Sequence, residues 1–229
     1  MKQKRVFYSE LAYLAGILIL ALGAAFMEKA DFGMSMVVAP AYLIHLKVSE
    51  RLPFYTFGMS EYVLQAFLIL VLAAVLRQFK KGYLFSFITA VFYGFILDFY
   101  INILSYIPTG GLPGRFGWYF AGILLCAAGI SFIFHTYIPP EAYDLFVKEI
   151  SARTGKDINK VKTIYDICSC LAGLALSFIF FGFGNFVGVK AGTVFCALVN
   201  GWLIGQCSRI LESHWTFRDR FPYRKFLTE

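Results

Sequence analysis

The sequence predicts an all-α polytopic membrane protein, six transmembrane helices forming two inverted three-helix repeats, each repeat with a short non-spanning helix. Three observations carry this. First, AGILILALGAAF (15–26) aligns with AGILLCAAGISF (121–132) at an offset of 106, with seven of twelve positions identical: Ala15/Ala121, Gly16/Gly122, Ile17/Ile123, Leu18/Leu124, Ala21/Ala127, Gly23/Gly129 and Phe26/Phe132. A fainter echo at an offset of 107 sets Ala90, Gly94, Ile103 and Leu104 against Ala197, Gly201, Ile210 and Leu211. Second, 59% of the residues are hydrophobic and 15% charged, whereas a soluble domain carries about a quarter charged residues. Third, Lys and Arg are distributed unevenly between the segments that join the apolar runs.

The apolar runs approach the roughly 20 residues a helix needs to cross a bilayer core. They are Leu11–Met27, Met59–Leu76, Leu84–Tyr106, Phe116–Ile138, Val161–Phe181 and Gly192–Leu211. Span 1 has the charged start and small-residue end of a signal peptide, but its copy in span 4 marks it as a retained helix. With a cytoplasmic N-terminus, six crossings leave 16 of the 21 Lys and Arg residues inside and only Lys29, Lys47, Arg51, Arg115 and Lys190 outside. Basic residues resist translocation, so both termini are expected in the cytoplasm. Topology and lipid headgroups account for the net charge of +7, and nucleic acid need not be invoked.

Three spans per unit make the units antiparallel: residues 1–110 form the first repeat, 111–213 the second, and 214–229 a cytoplasmic tail. Inverted repeats of this kind recur in transporters, with the working site where the copies meet. Each unit also holds a segment too short to cross. MSMVVAPAYLIHL (34–46) has the length of a re-entrant or interfacial piece. PPEAYDLFVKEISARTG (139–155) has helix signals, proline at its start and Gly155 after Arg153 at its end. It is expected to lie on the cytoplasmic surface or to fold back into the protein. Asp157 or Asn159 is placed to cap span 5.

Ionisable residues within spans point to function, because burying a charge in the bilayer costs about 2.5–3.5 kcal/mol even on lenient scales. Asp98 lies toward the outer end of span 3, with Asn102 one turn further on the same face. The pair either lines a cavity or ends in a carboxylate that reaches the headgroups. Glu61 and Asp166 sit at nearly equivalent repeat positions. They either bind cations or protons as access alternates, or act as first-turn acids matched to helix dipoles. Asn200 in span 6 is either interhelical glue, as is Gln206, or a ligand contact.

The loop GFGNFVGVKAGT (182–193) offers an anion site only weakly, and a connector is the default. His135 reads as an interface residue. Cys126, Cys168, Cys170, Cys196 and Cys207 lack metal-ligand spacing and read as packing residues. No metal or cofactor is expected, and no pattern supports an enzyme.

ADFGMS (30–35), ARTGKDINKVKTIYD (152–166) and GVKAGTVFCALVNGWLIG (188–205) resemble stretches of the YczE/YitT-like bacterial membrane proteins, in particular a branch of unknown function. The resemblance covers nearly the whole chain and implies a six-span bacterial inner-membrane protein, a family often assumed to transport. It supplies no substrate. Two turns depart from the family pattern: Ser35-Met36-Val37-Val38 stands in place of Ser-Pro-Trp-Asp, and Glu141-Ala142-Tyr143-Asp144 in place of Gly-Pro-Arg-Asp.

The expected function is small-solute transport by alternating access, in partnership with the lipid bilayer and an unidentified solute. Asp98 is the first candidate as a coupling or amine-binding site. Asp31, Ser35, Glu61, Asp144, Asp166 and Asn200 complete the cavity candidates. The competing reading is a non-transporting scaffold that recruits a partner through helix 140–155 and the basic-aromatic tail HWTFRDRFPYRKF (214–226). Whether the protein forms a homodimer stays open.

Overall fold

The computed structural model describes residues 5–156 and 158–221. Six long apolar helices match the expected spans: α1 (Ser9–Ala30), α3 (Phe57–Leu76), α4 (Lys81–Ser105), α5 (Gly111–Phe134), α7 (Ile158–Phe181) and α8 (Ala191–His214). Two short helices, α2 (Ala39–Ser49) and α6 (Ala142–Thr154), follow the first span of each repeat. The chain is a multi-pass membrane protein. Large apolar side chains such as Phe67, Leu70, Phe95 and Leu198 stand exposed along the spans, where lipid is the only solvent that suits them.

Local chemistry sets the helix ends. Asp31 ends α1 in the left-handed conformation, at φ 54°, which a short polar side chain tolerates. Thr56 caps α3 by accepting from the Met59 N–H at 3.1 Å. Gly155 ends α6 at φ 66°, as its position in the sequence predicts. Asp157, one of the two caps expected for span 5, lies outside the described residues, as do Lys2, Lys4, Arg224 and Lys225.

The repeats meet where α1 crosses α5. A Cβ on Gly16 would come 3.0 Å from the Gly129 carbonyl oxygen, and one on Gly23 would come 2.8 Å from that of Gly122. Gly16 is the counterpart of Gly122, and Gly23 of Gly129. Each contact is therefore the image of the other, as a two-fold axis requires. Leu20 and its counterpart Cys126 meet at the centre, with Cys126 Sγ 3.9 Å from the Leu20 carbonyl oxygen. Small residues let the two backbones approach without Cβ collisions, which is how helices associate in lipid. The pseudo-two-fold axis thus runs through the conserved pattern of the internal repeat.

Other contacts follow the same symmetry. α4 packs on α1 as α8 packs on α5, and α2 packs on α7 as α6 packs on α3. The α3–α4 pairing breaks it. α3 and α4 close on each other at Gly58 and Gly94, where a Cβ on Gly94 would come 2.8 Å from the Gly58 carbonyl oxygen. Their counterparts α7 and α8 barely meet, and a Cβ on Gly201, the counterpart of Gly94, would touch nothing within 4 Å.

The tail is not a free strip at its start. Residues Trp215–Arg218 (β2) pair in parallel with Arg5–Tyr8 (β1), in the register Arg5↔Trp215 to Tyr8↔Arg218. Ser9 Oγ donates to Asp219 at 2.8 Å, and the Glu10 carboxylate accepts from the N–H groups of Arg220 and Phe221 at 3.1 Å each. Phe7 packs on Phe132, Trp215 and Phe217. This clasp, which joins the start of the first repeat to the end of the second, has no period-2 signal strong enough to predict it.

Candidate functional site

Both short helices fold back into the protein. The carbonyls of Pro139 and Pro140, just before α6, accept from Thr89 (3.3 Å) and Ser86 (2.6 Å) on α4. Thr89 lies eight residues, about 12 Å, along α4 from its start. Ala39, at the start of α2, lies against Gly173 of α7, again about 12 Å from the nearer end of its span. The N-termini of α2 and α6 therefore point toward the membrane interior from opposite faces. Arrangements of this kind place helix ends at the substrate sites of transporters.

Between these ends lies a cavity of about 920 Å³. At the end nearer the β1–β2 clasp it is lined by Thr136, Lys80, Lys148 and Glu149. It passes Leu20 and Cys126 at the pseudo-axis, beside Tyr93, and reaches Met34 and Ser35. Most of this wall is apolar. Polar atoms enter at few places, among them Ser35, Glu141, Asp144, Lys162 and Asn200.

The opposite face is closed. Asp31 receives the Arg115 guanidinium at 3.1 Å and the Lys190 ammonium, and so ties together the ends of α1, α5 and α8. Arg115 Nε also donates to the Ala30 carbonyl at 2.8 Å, and its guanidinium lies over the Phe32 ring. Backbone bonds from Gly192 N–H to Phe32 O and from Met34 N–H to Gly188 O, both 3.0 Å, and one from the Tyr119 hydroxyl to Gly192 O complete the seal. Lys190 is thus engaged by Asp31, and the glycine-rich loop packs as a connector instead of presenting an anion site.

Behind the cavity wall sits a buried carboxyl cluster. Glu61 is fully buried; it accepts from the Tyr143 hydroxyl at 2.8 Å and from the Gln65 amide at 3.3 Å. The Gln65 carbonyl in turn accepts from the Ala142 N–H at 3.0 Å. Glu141, next to it, lines the cavity. Burial, then the nearby charges of Glu61 and Asp144, push the Glu141 carboxyl well above the usual carboxylate range. Lys162 lies 3.3 Å from both Asp144 and Asp166. Neither Glu61 nor Asp166 acts as a first-turn dipole acid: Glu61 faces α6, and Asp166 stands in the third turn of α7. Among the described residues the buried Asn200 Oδ1 atom has no hydrogen-bond partner.

Asp98 and Asn102 are not in the cavity. The Asp98 carboxylate accepts from Thr56 Oγ1 at 2.5 Å and from the Gly58 N–H at 2.7 Å, closing the orphan donors at the start of α3. Asn102 is exposed. The sequence puts Asp98 inside a span, but the partner that explains it lies about forty residues away. Asp98→Asn is expected to lower thermal stability by about 1–3 kcal/mol, the usual cost of stranding such donors, while leaving ligand binding in the cavity unchanged. Thermal unfolding of the variant with and without a bound ligand checks both halves.

The structure therefore groups Ser35, Asp144 and Asn200 on the cavity wall, with Glu61 and Asp166 beside it and Asp31 at its closed end. Sequence reasoning missed Arg115, Gln65, Glu141 and Tyr143 as site residues. Only Gln65 carried a local signal, one helical turn from Glu61 on the same face. No curated protein and no solved structure matches the chain. Residues 7–209 match the model of a family of unknown function, DUF6198, and the chain belongs to that family.

Proposed function

We propose that the protein carries a small solute across the membrane by alternating access, with the two inverted repeats rocking about the α1–α5 crossing. The cavity is the single observation that carries this reading. It lies on the pseudo-two-fold axis between two opposed re-entrant helices, with the helix ends beyond it tied by Asp31 on one face; we read the opposite end, lined by Thr136, Lys80 and Lys148, as its mouth. In the second state, rotation about the same axis parts Asp31 from Arg115 and Lys190 and closes the mouth. We read the terminal face as cytoplasmic, which the bias of Lys and Arg supports, and the membrane as the bacterial inner membrane, which the resemblance of the sequence to YczE/YitT-like proteins supports. The scaffold reading loses part of its support, because the tail through Arg218 is paired with the N-terminal strand.

The test is thermal unfolding of the purified protein in detergent against a panel of small metabolites. A ligand at a hundred times its dissociation constant adds about 2.7 kcal/mol of stability. The expected result is a hit that Asn200→Ala weakens. A flat panel with folded protein would contradict the reading.

A further inference from the structure

Glu61 and Glu141 are two buried acids, and among the described residues no cation lies within ion-pair distance of either. Glu61 is 0% exposed and Glu141 8%. Among the described residues, each has one oxygen, Oε1, with no hydrogen-bond partner. The two differ in access: Glu141 lines the cavity and Glu61 does not. Gln65 links them through the backbone: its amide donates to Glu61 at 3.3 Å, and its carbonyl accepts from the N–H of Ala142, the residue after Glu141, at 3.0 Å. Tyr143 donates to the remaining oxygen of Glu61.

The surroundings do not neutralise the pair. α6 brings Tyr143 and Asp144, and α7 brings Lys162, Tyr165 and Asp166. α1, α4 and α5 contribute Tyr13, Tyr93 and Cys126, none of them a cation. Lys162 is the one cation among these groups, and Asp144 and Asp166 already hold it. Two carboxylates held near each other and out of water resist being ionised together. Among the described residues no three acid, His or Cys side chains are arranged to hold a metal ion.

We propose that Glu61 and Glu141 form a proton-binding site that exchanges with the cavity through Glu141. The step is an O–H ionisation: the electron pair stays on the carboxylate, the proton passes to cavity water, and the reverse step reloads the pair. The role of this proton, coupling solute movement to a proton gradient, rests on the transport reading; the site itself does not.

Infrared spectroscopy of the full chain in lipid nanodiscs, titrated with pH in sodium-free buffer, tests it. The expected result is the carbonyl stretch of a protonated carboxyl at neutral pH that disappears on titration to alkaline pH. Glu141→Gln and Glu61→Gln should each remove that band. Both glutamines mimic the protonated acid in shape and charge, so both variants should fold. For a buried acid whose proton affinity rises on folding, stability is fullest in acid and is lost as pH rises through the folded-state value. Wild-type melting temperature should therefore fall with rising pH, and the glutamine variants should flatten that slope. Absence of a protonated carboxyl at neutral pH, or a band that survives in both variants, would overturn the inference. So would a band that sodium removes at fixed pH, which marks a metal-cation site. No solute enters this test. A pair that titrates as described in a protein whose cavity never changes sides would retain the proton site and sink the transport reading.

Discussion

Gly94→Leu is expected to prevent stable folding, whereas Gly201→Leu, the same change at the equivalent position of the second repeat, leaves the fold intact. At Gly94 a side chain would start 2.8 Å from the Gly58 carbonyl oxygen and 3.1 Å from the Tyr62 ring. The first obstacle is backbone, so the helices must part, and with them the Thr56–Asp98 contact that caps α3. Overpacking of this kind costs about 1–3 kcal/mol and more where backbone must move, which is a large share of a typical stability. At Gly201 the added Cβ meets open space, and the leucine projects beside the cavity that Gly201 lines. Size-exclusion profiles and melting temperatures of the two variants decide it. Equal damage at both positions would mean that α7 and α8 are packed together in the membrane as closely as α3 and α4.

Asp31→Asn is expected to open the closed face without unfolding the protein. Asp31 is the shared acceptor of two cations, and its loss leaves Arg115 and Lys190 facing each other across the seal. The side chain is 56% exposed, and exposed ion pairs contribute only about 0–1 kcal/mol each. Stability therefore changes little. Two such pairs, however, bias the choice between the two access states by up to about 2 kcal/mol, roughly a thirtyfold shift in population. A change confined to melting temperature, with access unaltered, would make Asp31 a helix tie and nothing more.

Much of this architecture was legible in the sequence because it depends on local patterns. The six spans follow from run length, and the duplication follows from the repeated segment, although that its glycines fall where α1 and α5 touch was not read from it. Gly155 closes α6 as its position predicts. What was not legible depends on partners distant in the chain. The Arg115–Asp31 and Lys190–Asp31 contacts join residues 84 and 159 positions apart. Asp98 shows the same limit from the other side: an acid within a span marks a polar contact, but only the fold tells a cavity wall from a helix cap. Glu141 escaped notice because it lies outside every span, and only the inward turn of α6 buries it. The β1–β2 clasp joins the two ends of the chain through strands of four residues each, too short for alternation to show.

The rate at which a cysteine at Ser35 reacts with a membrane-impermeant maleimide, applied in turn to each face of sealed vesicles, tests the central claim most directly. Ser35 is half-buried at the deep end of the cavity, beyond the pseudo-axis as seen from the mouth. In a background without native cysteines, alternating access predicts reaction from the face that carries the termini and protection from the other. Asp31→Asn should raise the rate from the protected face and lower it from the first. Protection from both faces in a folded protein, or equal access with Asp31 intact, would contradict the account.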